Sequence, residues 1–151
     1  MKMIQVSTKD QTLAILDDSN HVLKRYPIST SRVGIGFEPG SHKTPLGNFI
    51  IDEKIGGDQP IYTIFSSRKP VGIWNQQDID LGLITSRILW LSGVDDENKN
   101  TKERFVYIHG TSEEHMLGKP RSRGCVNMKN TDIVELYDMV SIGTPVVIRE
   151  K

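Results

Sequence analysis

The stretch of this sequence with the most reactive chemistry runs from Tyr107 to Met128. It reads Tyr107-Ile108-His109-Gly110-Thr111, then Gly118, then Ser122-Arg123-Gly124-Cys125-Val126-Asn127-Met128. Cys125 is the single cysteine of the chain and directly follows a glycine. His109 ends an apolar run 16 residues upstream. Strand ends, and the loops after them, are where reacting groups gather. A free thiol titrates near about 8.5, so little of it is thiolate at neutral pH. A neighbouring imidazole can take the proton and leave a thiolate–imidazolium pair. The thiolate then attacks an acyl carbon and forms a thioester. Gly124 lets the backbone approach a substrate closely. The N–H groups of Arg123, Gly124 and Cys125 could form an oxyanion hole.

Lys119, Arg121 and Arg123 alternate along the segment before Cys125. On an extended chain they share one face. Their charge could depress the Cys125 pKa or hold a substrate carboxylate. The plain alternative is a solvated basic loop. A lone cysteine has its own plain reading, an inert buried hydrophobe. A third arrangement would use His109, His115 and Cys125 as zinc ligands, although His115 lies in a polar run, Glu113-Glu114-His115. His21 and His42 read as surface or loop residues, and Trp74 and Trp90 as core or cleft wall.

Short strands must position these groups. Apolar runs at residues 3–6, 12–16, 21–28, 48–52, 61–65, 88–91 and 105–108 are separated by turn residues, and 144–148 reads as a closing strand. One helix is expected after Asn130-Thr131-Asp132, which offers a cap and an early acid. Ile133, Leu136, Tyr137 and Val140 follow at helical spacing, and Gly143 stops it. Tyr137 reads as core. A second, short helix is expected near Ser112–His115. The polar run 95–103 reads as a solvated loop, with a flap over a cleft as the alternative. The expectation is a mainly β fold in one domain, residues 1–151.

Composition narrows the function. The chain has 151 residues, with 19 Lys+Arg against 19 Asp+Glu. That balance argues against nucleic acid or an anionic membrane as a general partner. One cysteine excludes an internal disulfide and a Cys-only zinc site. No apolar run approaches the ~20 residues of a membrane span. No secretory apolar stretch follows Met1-Lys2-Met3. The expected compartment is the cytoplasm if this start is native, or the periplasm if an export signal was removed.

The same residues carry a family likeness. His109-Gly110-Thr111, Gly118 and Ser122-Arg123-Gly124-Cys125-Val126-Asn127 resemble the signature of L,D-transpeptidase catalytic domains, the YkuD family. Thr44-Pro45-Leu46-Gly47-Asn48-Phe49-Ile50, Tyr26-Pro27-Ile28-Ser29-Thr30-Ser31 and Ile142-Gly143-Thr144-Pro145-Val146 resemble further parts of it. The resemblance implies a β-sandwich of mixed sheets with one or two short helices. It implies a peptidoglycan stem peptide or muropeptide as substrate, no cofactor, no metal and reactivity towards carbapenems. It makes Cys125 the nucleophile, His109 the base and the Gly110 carbonyl the group orienting the imidazole. Ser122, Arg123, Gly124, Asn127 and Arg121 become oxyanion or substrate-binding candidates. Many members carry His at position 123 and Arg at position 127. Arg123 cannot act as a base, and Asn127 removes a ready carboxylate clamp, leaving its amide to fix the loop. With no export signal visible, hydrolysis of terminal D-Ala from a tetrapeptide stem is the expected reaction. Transpeptidation to 3-3 cross-links or D-amino-acid exchange is the alternative, and an inactive muropeptide-binding module is the reading from another class.

Overall fold

The structure is a computed structural model that describes residues 2–79 and 81–151. Alternating side chains decide its plan. Ile4 and Val6 in β1 (Met3–Ser7), Leu13 and Ile15 in β2 (Thr12–Leu16), and Tyr26 and Ile28 in β3 (Val22–Ser29) all enter one apolar core. Phe49 and Ile51 of β4 (Gly47–Ile55) do the same, as do Leu89 and Leu91 of β7 (Ile84–Gly93). So do Ile108 of β8 (Tyr107–Thr111), Val126 and Met128 of β9 (Val126–Met128), and Val146 and Ile148 of β10 (Pro145–Arg149). A period of two puts one set of residues on one face, so each of these strands turns the same kind of surface inward.

The strands pair in the order β4-β10-β1-β2-β3-β9-β8-β7, and β7 pairs with β4 again, so the ladder returns on itself. β1 runs parallel to β10 and β8 parallel to β9, while the other neighbours are antiparallel. A hairpin of β5 (Thr63–Ser66) and β6 (Lys69–Ile73) extends from β7. This is the mainly β, mixed-sheet class expected. Pairing β4 to β7 also removes two open edges, which would otherwise invite foreign strands.

The helix α1 (Asn130–Met139) packs on β7 and β8 and sends Ile133 and Leu136 into the core. Its start differs from expectation. Lys129 is the N-cap position and makes no side-chain capping bond. The Asn130 N–H instead donates to Glu114 Oε2 at 2.8 Å. The Asn130 side chain is spent elsewhere. Its Oδ1 accepts from Thr85 Oγ1 (2.5 Å) and Ser86 Oγ (2.6 Å), and its Nδ2 donates to the Thr111 carbonyl (2.9 Å). Glu114 opens a short 3-10 helix, Glu114–Met116, two residues later than expected. Tyr137 packs against the core from its margin, with Lys54 Nζ 4.1 Å from its ring centre.

Two strands start later than the apolar runs suggest. Tyr62 (φ 70°) and Phe105 (φ 56°) lie in left-handed turns and cannot extend a strand. The 95–103 run is no free flap. Asn98 and Thr101 are fully buried, and Asn98 Nδ2 donates to the Leu46 and Asn48 carbonyls. Lys102 pairs with Asp52 and Glu53, and its carbonyl accepts from Trp90 Nε1. Charged residues on the outside hide a segment fastened from within.

Candidate active site

Parallel pairing brings the sequence-distant residues together. Ile108 faces Val126 and His109 faces Asn127 across β8 and β9. Because Ile108, Val126 and Met128 point into the main core, Tyr107, His109, Cys125 and Asn127 share the opposite face. A cleft of about 290 Å³ opens there, lined by His109, Cys125 and Asn127 from the strands and by Arg121, Ser122 and Arg123 from the preceding loop.

His109 is buried, and its Nδ1 lies 2.5 Å from the Gly110 carbonyl oxygen. A carbonyl only accepts, so Nδ1 carries the proton and Nε2 is left with its lone pair. Burial pulls the His109 pKa down to about 4, against the opposing pull of the Gly110 carbonyl. The glycine is required by what lies behind it. A Cβ at Gly110 would sit 2.5 Å from the Thr85 carbonyl oxygen and 2.8 Å from Asn130 Oδ1.

Cys125 is half-buried and reduced. Its Sγ accepts from the Tyr107 N–H at 3.3 Å and faces the Phe105 carbonyl oxygen at 3.4 Å, to which the thiol donates. Burial pushes the thiol up to about 11, while the Tyr107 N–H and the Arg104 charge pull it down. Both shifts, the thiol up and the imidazole down, favour the neutral forms over a thiolate–imidazolium pair.

The turn before the cysteine is held from inside. Ser122 Oγ donates to the Cys125 carbonyl (2.5 Å) and accepts the Gly124 N–H (3.2 Å). That commits the Gly124 N–H and removes it from the expected oxyanion donors, leaving those of Arg123 and Cys125. Gly124 has φ 117°, a left-handed value suited to glycine, and its carbonyl accepts from Thr44 Oγ1 at 3.1 Å. Ser122 is also tied by its backbone to Thr30 and Arg32.

The basic residues separate. Arg121 Nε donates to Glu113 Oε2 at 2.9 Å, so its charge is shared with a carboxylate inside the cleft. Arg123 is exposed on the rim, and Lys119 lines neither cavity beside Cys125. Among the described residues Asn127 Oδ1 is buried and has no hydrogen-bond partner. Among the described residues no three His, Cys, Asp or Glu form a metal-holding group, and that includes the set His109, His115 and Cys125.

A second cavity, also about 290 Å³, meets the first at Cys125 and Arg123. His42, Lys43, Arg104 and Phe105 form much of its wall. Arg104 carries no motif signal. It directly follows the run 95–103 that reads as solvated loop, and only the fold brings it to the cysteine. Trp90 is half-buried and packs against Phe105 and Arg68, whereas Trp74 is buried.

The fold is thus a mixed β-ladder that closes on itself and brings the lone cysteine and a tautomer-fixed histidine to one cleft. The chain belongs to the L,D-transpeptidase catalytic domain family, YkuD, which it matches over residues 1–148. It is 28% identical over 145 residues to the L,D-transpeptidase YkuD of Bacillus subtilis, covering 96% of this chain and 63% of that protein. Its fold is similar to that of the L,D-transpeptidase of Xylanimonas cellulosilytica (TM-score 0.65, 21% identity, 97% of this chain and 59% of that one). It is also similar to L,D-transpeptidase 3 of Mycobacterium tuberculosis, solved with a faropenem-derived adduct (TM-score 0.62, 20% identity, 99% and 60%). The chain thus spans about three fifths of the length of these relatives. Among the described residues no helix is long and apolar enough to cross a membrane.

Proposed function

We propose that this chain carries out cysteine-dependent acyl transfer on peptidoglycan stem peptides, with Cys125 as nucleophile and His109 as general base. The observation that carries this reading is the His109–Gly110 contact in the cleft of Cys125, which leaves the Nε2 lone pair free to accept a proton. Nε2 takes the thiol proton as Sγ attacks the carbonyl at the L-centre of the third stem residue. The tetrahedral oxygen is held by the N–H groups of Arg123 and Cys125. The bond to the D-Ala nitrogen breaks, and His109 returns the proton to that leaving amine. A thioester remains on Cys125.

The acceptor decides the product. Water gives a tripeptide and an L,D-carboxypeptidase. An amine gives a cross-link or an exchanged D-amino acid. Water needs no site of its own, whereas an amine needs space on the far side of Sγ. The second cavity at Cys125 supplies that space, so transfer to an amine is the reading supported here. Hydrolysis is the second reading, supported by the half-buried thiol, which water can reach.

The test is mass spectrometry of a disaccharide-tetrapeptide incubated with and without a D-amino acid. Incorporation of the added D-amino acid or a dimer supports transfer, and tripeptide plus D-Ala supports hydrolysis. C125A abolishes both. Turnover that survives in C125A overturns the assignment. A relative in this fold carries a faropenem-derived adduct, so a covalent faropenem adduct on Cys125 is expected as well.

A further inference from the structure

The thiol at Cys125 is poorly acidic where it sits, and the motif cations do little to help it. Arg121 is tied to Glu113, and Arg123 stands on the rim. Arg104 is placed differently. It is half-buried in the wall of the second cavity and is fastened by three hydrogen bonds. Its Nη1 donates to the Gly36 carbonyl (3.2 Å), and its Nη2 to Ser41 Oγ (3.3 Å) and the Lys43 carbonyl (2.8 Å). The Lys43 carbonyl is also the atom nearest a would-be Cβ at Gly124, at 3.3 Å. Arg104 therefore reaches the cysteine loop in two ways: as a fixed charge beside the sulfur, and as the tie that holds the 36–43 segment against Gly124.

We infer that Arg104 is the positioning residue that stabilises the Cys125 thiolate, a role that the residues of the cysteine motif do not fill. A guanidinium fixed by a planar fork cannot swing away as a lysine does. Half-buried, it is screened less than a surface cation. Its charge pulls the thiol pKa down against burial. The other charged or titratable groups lining the cavities at Cys125 are Lys43, His42, Glu103 and Arg123 around the second cavity. On the first side they are His109, Arg32 and the Glu113–Arg121 pair. Glu38 faces Arg104 itself and offsets part of its charge. Among these cations, the fixed hydrogen-bonding and the electrostatic coupling to the sulfur coincide at Arg104.

This inference takes its purpose from the acyl-transfer reading, but its test reads the thiol alone. Cys125 is the only cysteine, so iodoacetamide alkylation followed by intact mass reports one site. The alkylation rate is measured against pH in the folded chain, with native circular dichroism required of each variant. R104Q is expected to move the midpoint up by about one pH unit and slow alkylation near neutrality about tenfold. R104K keeps the charge but not the fork and is expected to fall between wild type and R104Q. An unmoved midpoint in folded R104Q overturns the inference. If R104Q does not fold, R104M is read in its place, and an unmoved midpoint in natively folded R104M overturns the inference. A raised midpoint in the neutral variant with no transferase product from the parent chain would leave Arg104's role standing and the acyl-transfer reading refuted.

Discussion

His109 and Gly110 are consecutive residues of β8, with the His109 Nδ1 2.5 Å from the Gly110 carbonyl oxygen. The contact selects a tautomer without adding a charge. It leaves the imidazole weakly basic, because burial outweighs it. The kcat/KM profile should therefore keep its activity well below the ordinary histidine range and fall as pH drops through about 4, where Nε2 becomes protonated. A steady-state profile from pH 3 to 9 on a tetrapeptide substrate checks this. An acid limb centred at the usual ~6.5 would show that the imidazole is charged more easily than its burial allows.

The same burial links folding to pH. His109 binds its proton near 4 when folded and near ~6.5 when unfolded. Between those values the unfolded chain holds more protons, so stability rises with pH and is lost on acidification. From pH 7 to 5 this residue alone should remove about 2 kcal/mol. H109Q should lose that part of the pH dependence, and urea unfolding at the two pH values measures it. An equal pH slope in both proteins would assign the loss to other groups.

Asn130 is the joint between the helix and the site. It is fully buried, and its amide satisfies Thr85, Ser86 and Thr111 at once. N130A strands two hydroxyls and a carbonyl without water, and should cost about 2–4 kcal/mol in chemical unfolding. Activity should fall with it, since the Thr85 carbonyl packs on Gly110. A loss under ~1 kcal/mol would mean that water enters and replaces the amide.

The contrast between Asn130 and Cys125 explains what could be read in advance. Alternation in Leu13–Ile15 or Phe49–Ile51 reports the inward face directly, and Ile133, Leu136 and Val140 report the helix. The His109-Gly110 and Ser122–Asn127 groups stand out because they combine reactive types with glycine. β6 does not stand out, for all its residues are exposed and Pro70 and Gly72 read as breakers. β9 is three residues long, too short for a period to appear. Asn98, Arg104 and Glu114 look like surface by composition. They act through tertiary partners 50 or more residues away, as in Asn98 with Leu46 and Arg104 with Lys43, or, for Glu114, 16 residues away at Asn130. No local pattern encodes such contacts.

Ser122 offers the sharpest separation of holding from binding. Its hydroxyl spans the turn, donating to the Cys125 carbonyl and accepting from the Gly124 N–H. S122A leaves both backbone groups without that partner, at a cost of about 1–2 kcal/mol. The Cys125 backbone then loosens, and small displacements of a nucleophile lower the rate steeply. The expected signature is a kcat reduced about tenfold or more with KM little changed. S122T keeps the hydroxyl and should recover most of the loss. A KM that rises while kcat holds would instead place Ser122 on the substrate, and failure of S122T to rescue would point to the space its methyl group fills.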